Sequence, residues 1–204
     1  MISAVILAAG KSRRMGEQKL LMPWGENTVI QHVVSVFAEA DLDEILVVTG
    51  SHREAIETNI AELKKDYPVR GVFNENFATG EMLSSIQCGL RELTSGGSRA
   101  ALVALGDQPQ VRARSVRRVR DAFQQTGSPL VVPSYQMRRG HPWLVARELW
   151  DELLDLTPHQ TPREFLDRHK EAIYYVDADD ASVLADLDTP SEYHAARPKR
   201  ERDG

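Results

Sequence analysis

Short apolar runs alternate with segments of helical period along most of the chain. The runs are rich in Val, Ile and Leu, and they predict buried strands at residues 4–9, 44–50, 69–74, 100–106 and 129–135. Apolar residues spaced three or four apart predict helices at residues 29–37, 56–63, 82–90 and 116–123. This alternation predicts an α/β fold with a mostly parallel central sheet and helices on both faces, in which ligands bind beyond the carboxyl ends of the strands.

The C-terminal third has a less regular pattern. It predicts helices at residues 149–156 and 165–169, a strand at 173–176, and a last helix at 190–196 with Pro190 in its first turn. Residues 197–204 contain no apolar side chain and are predicted to be disordered. Since we find neither an internal repeat nor a linker in the sequence, we expect one domain over residues 1–196.

The composition excludes several classes of protein. The 204 residues are 42% hydrophobic and 27% charged, as in ordinary globular domains, and the formal net charge of -5 argues against a general nucleic-acid-binding role. Cys88 is the only cysteine, so an internal disulfide and a zinc cluster are excluded and a reducing compartment is favoured. The first apolar run is too short to span a membrane, and charges follow it rather than precede it. We therefore predict a cytoplasmic protein with no membrane partner.

The loop after the first strand combines small residues with basic ones. Ala8, Ala9 and Gly10 would expose backbone N–H groups at the carboxyl edge of the sheet, where they form a concave anion site. Gly10 and Gly16 allow positive φ or the close approach of a ligand. Four basic residues supply charged donors, which suits a polyphosphate: Lys11, Arg13, Arg14 and Lys19. The spacing fits neither a Walker A loop nor a dinucleotide-binding motif, and the alternative interpretation is a solvated basic loop.

Asp107 ends the fourth predicted strand, at the edge where a parallel sheet presents its ligands. A carboxylate there suits Mg²⁺, which prefers oxygen ligands and bridges substrate phosphates. The alternative is an ordinary turn aspartate before Gln108 and Pro109. The residues alone leave both interpretations open.

Five motifs in order resemble one enzyme family. "LAAGKSRRMGEQK" (7–19) resembles the signature Leu-Ala-Ala-Gly-x-Ser-x-Arg-Met-Gly-x-x-Lys of the nucleotidyltransferases of the molybdenum cofactor type. The likeness continues through "NENFATGEMLSSIQCGL" (74–90), "VALGDQP" (103–109), "RRGHP" (138–142) and "VLADLDTPSEY" (183–193). The resemblance implies a three-layer Rossmann-like nucleotidyltransferase fold. It also implies a reaction in which a phosphate oxygen of an acceptor attacks the α-phosphorus of a nucleoside triphosphate and pyrophosphate leaves.

The resemblance also implies roles for individual residues. The first loop would wrap the triphosphate, Ala8 and Ala9 would lie against the base, and Gly80 and Ser84 would read a base edge or the ribose, although simple helix capping also explains Ser84. The implied nucleotide-binding residues are Ala8, Ala9, Gly10, Ser12, Arg14, Lys19, Gly80 and Ser84. Lys19, Asp107 and Arg14 would be catalytic. Lys11 and Arg13 occupy positions that the family leaves free and are interpreted as solvated.

The implied metal ligands of a Mg²⁺ cofactor are Asp107 and Asp188. Asp188 resembles the second acidic metal position of related transferases, and Asp186 can exchange roles with it. The alternative for Asp188 is a helix entry with Thr189 and Pro190. The neighbouring run "DADD" (177–180) is interpreted as a solvated turn.

Residues for binding the acceptor are implied by the motifs "VALGDQP" and "RRGHP" and by residues 158–166. His141, with Arg139 and the adjacent Arg138, would bind an anionic acceptor such as a pterin phosphate. Cytidylyltransferases of this branch often carry Gly-Asp-x-Gly-Ala-Arg, whereas this chain has "PHQTPREFL" (158–166) and keeps only Arg163 in the matching place. Ala9 resembles the cytidylyl branch, since the guanylyl branch has glycine there.

Three functional hypotheses follow from the sequence. The first is Mg²⁺-dependent transfer of CMP from CTP to a molybdopterin-type cofactor, with an apo molybdenum hydroxylase as a further partner. The second is nucleotidyl transfer to another small phosphate, and the third is a non-catalytic carrier of the cofactor. The combination of Lys19, Asp107 and Asp188 favours an enzyme, because a carrier needs no metal arrangement.

Overall fold

The computed structural model describes residues 1–12, 15 and 17–198. The predictions for Arg13, Arg14 and Gly16, and for residues 199–204 of the tail, therefore lie outside the described residues. In chain order the strands are β1 (Ile2–Ala8), β2 (Pro23–Trp24), β3 (Asn27–Thr28), β4 (Glu44–Thr49), β5 (Val69–Phe73), β6 (Ala100–Leu105), β7 (Leu130–Tyr135), β8 (Arg138–Arg139), β9 (Trp143–Ala146) and β10 (Ile173–Asp177). The α-helices are α1 (Val29–Ala38), α2 (Arg53–Ala61), α3 (Glu81–Thr94), α4 (Ala113–Thr126), α5 (Trp150–Leu154), α6 (Pro162–Arg168) and α7 (Pro190–Ala196).

The central sheet has eight strands in the order β10-β7-β9-β6-β1-β4-β5, with β8 paired to β7. Strand β1 pairs in parallel with β4 and β6, and the β4–β5 and β7–β10 pairs are also parallel. Strand β9 runs antiparallel to both of its neighbours. The predicted mostly parallel sheet is confirmed, whereas β9 and the two-residue strands of the β2–β3 hairpin were not predicted because each is too short for a periodic pattern.

Alternate residues of the central strands pack into two cores, one on each face of the sheet. Ala4 and Ile6 of β1 belong to a core that also contains buried side chains of α1, α2, α4 and α7. Val5 belongs to the opposite core, with side chains of α3, α5 and α6. The predicted arrangement of helices on both faces is therefore confirmed. No helix among the described residues is long and apolar enough to cross a membrane.

The C-terminal segment returns to the centre of the molecule. Helix α7 begins at Pro190, as predicted, and Thr189 caps it by accepting a hydrogen bond from the Glu192 backbone N–H. The Tyr193 side chain is almost fully buried, and its hydroxyl donates a hydrogen bond to the Pro23 carbonyl oxygen. This contact places the residues before α7 beside the first loop of the chain.

Two aspartates of the "DADD" run, which is exposed or half-buried, form ion pairs with arginines in and just before α4. Asp180 lies 3.2 Å from Arg112 and 2.9 Å from Arg114, and Asp179 lies 2.5 Å from Arg118. Ser182, whose backbone N–H donates a hydrogen bond of 2.9 Å to Asp180 Oδ1, lowers the pKa of Asp180 to about 2 together with the Arg114 and Arg112 guanidinium groups. These ion pairs connect the loop after β10 to the first turns of α4.

Asp180→Asn is expected to lower the free energy of unfolding at pH 7 by about 1 kcal/mol, since the pairs are largely exposed. The folded-state pKa lies below the ordinary value of 3.8, so the stabilisation is fully present above pH 3.8 and is lost as the pH falls through about 2. Urea titrations of both proteins at several pH values measure this difference. Asp177→Asn, at the exposed end of β10, is the control. If the loss of unfolding free energy in Asp180→Asn did not become smaller at low pH, the stabilising role of the Asp180 carboxylate would be contradicted.

Candidate active site

A cavity of about 380 Å³ opens beyond the carboxyl ends of β1 and β6. Its floor and walls come from four stretches that are distant in sequence: the end of β1 with the first loop, the start of α3, the turn after β6, and the segment before α7. The lining residues are Leu7, Ala8, Ala9, Gly10, Ser12, Lys19, Leu20, Phe77, Glu81, Met82, Ser85, Leu105, Asp107, Asp186 and Asp188. Polar groups converge at its floor and apolar side chains form part of its wall, as in many ligand sites.

Lys19 and two carboxylates meet at the floor of this cavity. The Lys19 ammonium group forms an ion pair with Asp107 and lies 3.4 Å from Asp188 Oδ1. The Lys19 side chain is only 14% exposed, so water screens this contact less than it would a surface pair. Leu20, which is buried, anchors the short 3₁₀ turn that begins at Lys19.

The turn that presents Asp107 depends on a glycine. The Gly106 N–H donates a hydrogen bond of 2.9 Å to the Leu7 carbonyl oxygen, which ties the end of β6 to β1. A Cβ atom at position 106 would lie 2.8 Å from that oxygen, which is closer than a carbon atom can approach. Glycine therefore allows Asp107 to project from the sheet edge directly beside the end of β1.

The first loop adopts positive φ at Ser12 rather than at Gly10. Ser12 has a φ of 47°, and its hydroxyl hydrogen bonds to Gln18 and accepts a 3.3 Å bond from the Lys19 backbone N–H. A Cβ atom at position 10 would meet no heavy atom within 4 Å. Gly10 thus leaves open space beside the cavity, which suits the close approach of a ligand to the backbone.

Carboxylates outnumber cations among the described residues that line the cavity. Glu81, Asp107, Asp186 and Asp188 face a single ammonium group, that of Lys19. The pKa of Asp186 is raised, chiefly because burial disfavours its charged form, and the charges of Asp107 and Asp188 raise it further. The hydrogen bond from Gln108 opposes this shift. A triphosphate entering this part of the cavity would meet repulsion, so the arrangement calls for an added cation.

The family of the chain is decided by comparison with known proteins. A family model described as the MobA-like NTP transferase domain matches residues 4–173. The chain belongs to the MobA-like NTP transferase family. The expected resemblance to nucleotidyltransferases of the molybdenum cofactor type is therefore confirmed.

Individual relatives cover nearly the whole chain at low identity. Molybdenum cofactor cytidylyltransferase of Escherichia coli (strain K12) is 22% identical over 97% of this chain and 96% of its own length. Nicotine blue oxidoreductase of Paenarthrobacter nicotinovorans is 26% identical, over 95% of each chain. This pair of names shows that relatives of similar distance differ in the activity assigned to them.

Solved structures agree with the fold. A nucleotidyl transferase from Methanothermobacter is 26% identical, with a TM-score of 0.80 and coverage of 97% of this chain and 96% of that one. The Mycobacterium tuberculosis H37Rv protein Rv0371c, solved in complex with manganese, is 24% identical with a TM-score of 0.71, over 95% of this chain and 96% of that one. The second likeness concerns the fold alone.

The donor set of this MobA-like protein fits a divalent cation that is shared with a substrate. The described residues contain no preassembled group of three or more ligating side chains. Mg²⁺ usually takes one or two carboxylates and completes its shell with water and substrate phosphates. Asp107 and Asp188, which already approach one cation from two sides, provide that number of oxygen ligands.

Gly80 and Ser84, which were predicted to bind the nucleotide, are not among the described residues that line the cavity, although Glu81, Met82 and Ser85 are. Gly80 is the N-cap residue of α3. The Ser84 hydroxyl accepts a hydrogen bond of 2.8 Å from the Asn74 side-chain amide and donates one to the Glu81 carbonyl oxygen. These contacts do not cap the helix, since no side chain that the structure describes caps the start of α3.

The predicted acceptor-binding residues are absent from the described cavity lining. Arg139 is engaged elsewhere, 2.5 Å from Asp167 and 2.9 Å from the Tyr175 hydroxyl, and Arg163 is exposed in the first turn of α6. Burial lowers the pKa of His141, and its buried Nδ1 atom has no hydrogen-bond partner among the described residues. A neutral, largely buried imidazole is a poor anion ligand, so the roles of these residues remain predictions.

The lining residues that sequence reasoning did not select include Phe77, Glu81 and Met82. All three lie within the second motif, close to the predicted Gly80 and Ser84. Glu81 has a φ of 49°, a conformation that costs a non-glycine residue about 1 kcal/mol and often marks functional sites. Lys11, interpreted as solvated, is exposed, and its ammonium group lies 5.6 Å from the centre of the Phe77 ring.

Proposed function

We propose that this protein catalyses the Mg²⁺-dependent transfer of CMP from CTP to a molybdopterin-type cofactor, with release of pyrophosphate. The observation that carries the proposal is the position of Lys19 between Asp107 and Asp188, at the floor of a cavity bounded by Ala8, Ala9 and Gly10. Membership of the MobA-like NTP transferase family supports nucleotidyl transfer. The motifs "GDQP" and "RRGHP" favour the molybdopterin acceptor.

The triphosphate would bind along the first loop. Gly10 leaves room for phosphate oxygens near the backbone, and the Ser12 hydroxyl and Lys19 ammonium supply donors to them. Asp107 and Asp188 would hold Mg²⁺, which when bound neutralises charge on the phosphates and polarises the transferring phosphoryl group. Arg14, outside the described residues, is proposed as a further phosphate ligand.

The transfer itself needs little covalent help from the protein. An anionic phosphate oxygen of the acceptor attacks the α-phosphorus of CTP, the new phosphorus–oxygen bond forms, and the bond to the β-phosphate breaks to release pyrophosphate. The attacking oxygen already carries negative charge, so the protein need not abstract a proton. Lys19 and the carboxylates contribute by orienting the groups and balancing their charge.

Pyrophosphate release measured with CTP, GTP, ATP and UTP in turn tests this function. Each nucleotide is supplied with Mg²⁺, with and without molybdopterin cofactor. The expected result is that pyrophosphate is released only when CTP and the molybdopterin cofactor are supplied together. Release with another nucleotide would overturn the base preference, and CTP binding without release would favour the carrier. Release with a different phosphate acceptor, supplied in parallel, would overturn the molybdopterin assignment.

A further inference from the structure

Gln108 lies behind the cavity, in the turn after β6, and does not touch its open space. Its side chain is buried, at 3% exposure. Its Nε2 atom donates a hydrogen bond of 2.6 Å to Asp186 Oδ1, which belongs to a segment 78 residues further along the chain. A hydrogen bond to a charged acceptor is shorter and stronger than one between neutral groups. This bond therefore joins two of the stretches from which the cavity is built.

A second contact runs beside the first. The Leu187 N–H donates a hydrogen bond of 3.3 Å to the Asp107 carbonyl oxygen, and the Leu187 side chain is fully buried. The turn after β6, which carries Gln108, has a hydrogen bond of its own: the Val111 N–H donates a bond of 3.2 Å to the Gln108 carbonyl oxygen. The segment that carries Asp186 and Asp188 is thus held against a stiff turn by one backbone and one side-chain hydrogen bond.

The hydrogen bond from Gln108 Nε2 to Asp186 Oδ1 orients the Gln108 side-chain amide. The Gln108 Oε1 atom is buried and has no hydrogen-bond partner among the described residues. Asp186 Oδ1 accepts from Gln108, whereas the Lys19 ammonium group pairs with Asp107 and Asp188. The two acidic residues of "DLD" therefore have different surroundings, although they are only two positions apart.

We propose that Gln108 is a positioning residue, which fixes Asp186 and thereby sets the distance between the carboxylates of Asp107 and Asp188. This proposal rests on the proposed function, in which those two carboxylates hold Mg²⁺. Loss of the Gln108 bond would let the segment before α7 shift by a fraction of an ångström or more. The cation would then lose one well-placed ligand, while the triphosphate donors of the first loop would stay in place.

Gln108→Met tests the proposal, because methionine keeps an unbranched side chain of similar size but cannot donate. We expect Mn²⁺ binding, measured by electron paramagnetic resonance with CTP present and no acceptor, to weaken about tenfold. The KM for Mg²⁺ should rise by a similar factor, while kcat at saturating Mg²⁺ should change less than about twofold. Unchanged Mn²⁺ affinity would overturn the proposal.

Gln87→Met is the matched control. The Gln87 amide donates to the carbonyl oxygens of Leu153, Leu154 and Leu156, so its loss weakens packing between α3 and α5 away from the cavity. This variant should melt at a lower temperature with unchanged Mn²⁺ affinity. Equal loss of Mn²⁺ affinity in both variants would reveal a general structural effect and overturn the positioning role.

Two further measurements keep the test decisive. If Gln108→Met does not fold, Gln108→Asn replaces it, since the shortened amide cannot reach Asp186, and the same loss of Mn²⁺ affinity is expected. If the unmodified protein binds no Mn²⁺ with CTP, the metal part of the proposed function fails, and this proposal with it. Binding by the unmodified protein and by the variant alike would remove the positioning role only.

Discussion

Asp107→Ala is expected to reduce the rate of pyrophosphate release by about 10² to 10³, a loss typical of removing one preorganised charge-stabilising group. The substitution deletes the carboxylate that forms an ion pair with Lys19 at the cavity floor. It would also remove one of two oxygen ligands proposed for Mg²⁺. The measurement is initial rate against Mg²⁺ concentration, with CTP and cofactor at saturation.

The fold should survive this change, because Asp107 is partly exposed and its loss leaves no large void. Circular dichroism and thermal melting check that point. Asp121→Ala is the control, since Asp121 also forms an ion pair, with Arg120 at 2.7 Å, but lies on α4 away from the cavity. Turnover close to that of the unmodified protein in Asp107→Ala would remove the metal assignment.

Lys19→Met is expected to change two affinities in opposite directions. CTP affinity should fall by roughly tenfold to a hundredfold, as for the loss of a charged hydrogen bond worth about 1.5–3 kcal/mol. Mn²⁺ affinity of the nucleotide-free protein should rise, because the Lys19 ammonium lies against Asp107 and 3.4 Å from Asp188. An internal cation there competes with an added one.

Calorimetric titration with CTP and electron paramagnetic resonance with Mn²⁺ measure the two effects separately. Lys11→Met is the matched control, since Lys11 lies in the same loop but contacts the Phe77 ring and is not part of the cavity lining. CTP affinity equal to that of the unmodified protein would refute the phosphate role of Lys19. An Mn²⁺ affinity that fell instead of rising would refute the competition between the two cations.

The competition has a consequence for the order of binding. In the nucleotide-free protein the ammonium of Lys19 offsets part of the charge of two carboxylates, so a divalent cation must displace it in order to bind between them. A triphosphate attracts Lys19 and brings its own oxygen ligands to the cation. Metal and nucleotide should therefore bind with positive coupling, which appears as tighter Mn²⁺ binding at saturating CTP.

Local features could be predicted from the sequence with close boundaries. Pro190 begins α7, as predicted, because a proline in the first turn acts within that turn. The buried strands were predicted because apolar runs between turn residues leave little choice of structure. By contrast, β9 contains four residues and pairs antiparallel with β6 and β7, so its place depends on its neighbours.

The candidate site divides in the same way. Its first loop and Asp107 are recognisable from motifs, since each follows directly from a strand end. Whether Asp186 or Asp188 faces Lys19 could not be decided, because the pairing spans 169 residues and both aspartates precede the same helix. Likewise, nothing local indicates that Arg139 pairs with Asp167 of α6.

The sequence by itself determined the alternation of strands and helices, the mostly parallel sheet and the loop with the chemistry of phosphate binding. These follow from short-range periodicity and from residue types whose preferences act over a few positions. Only the tertiary structure decided that Asp188 approaches Lys19 while Gln108 holds Asp186. Contacts of that kind depend on how the C-terminal segment packs against β6, and burial of Leu187 and Tyr193, rather than any local preference, stabilises that packing.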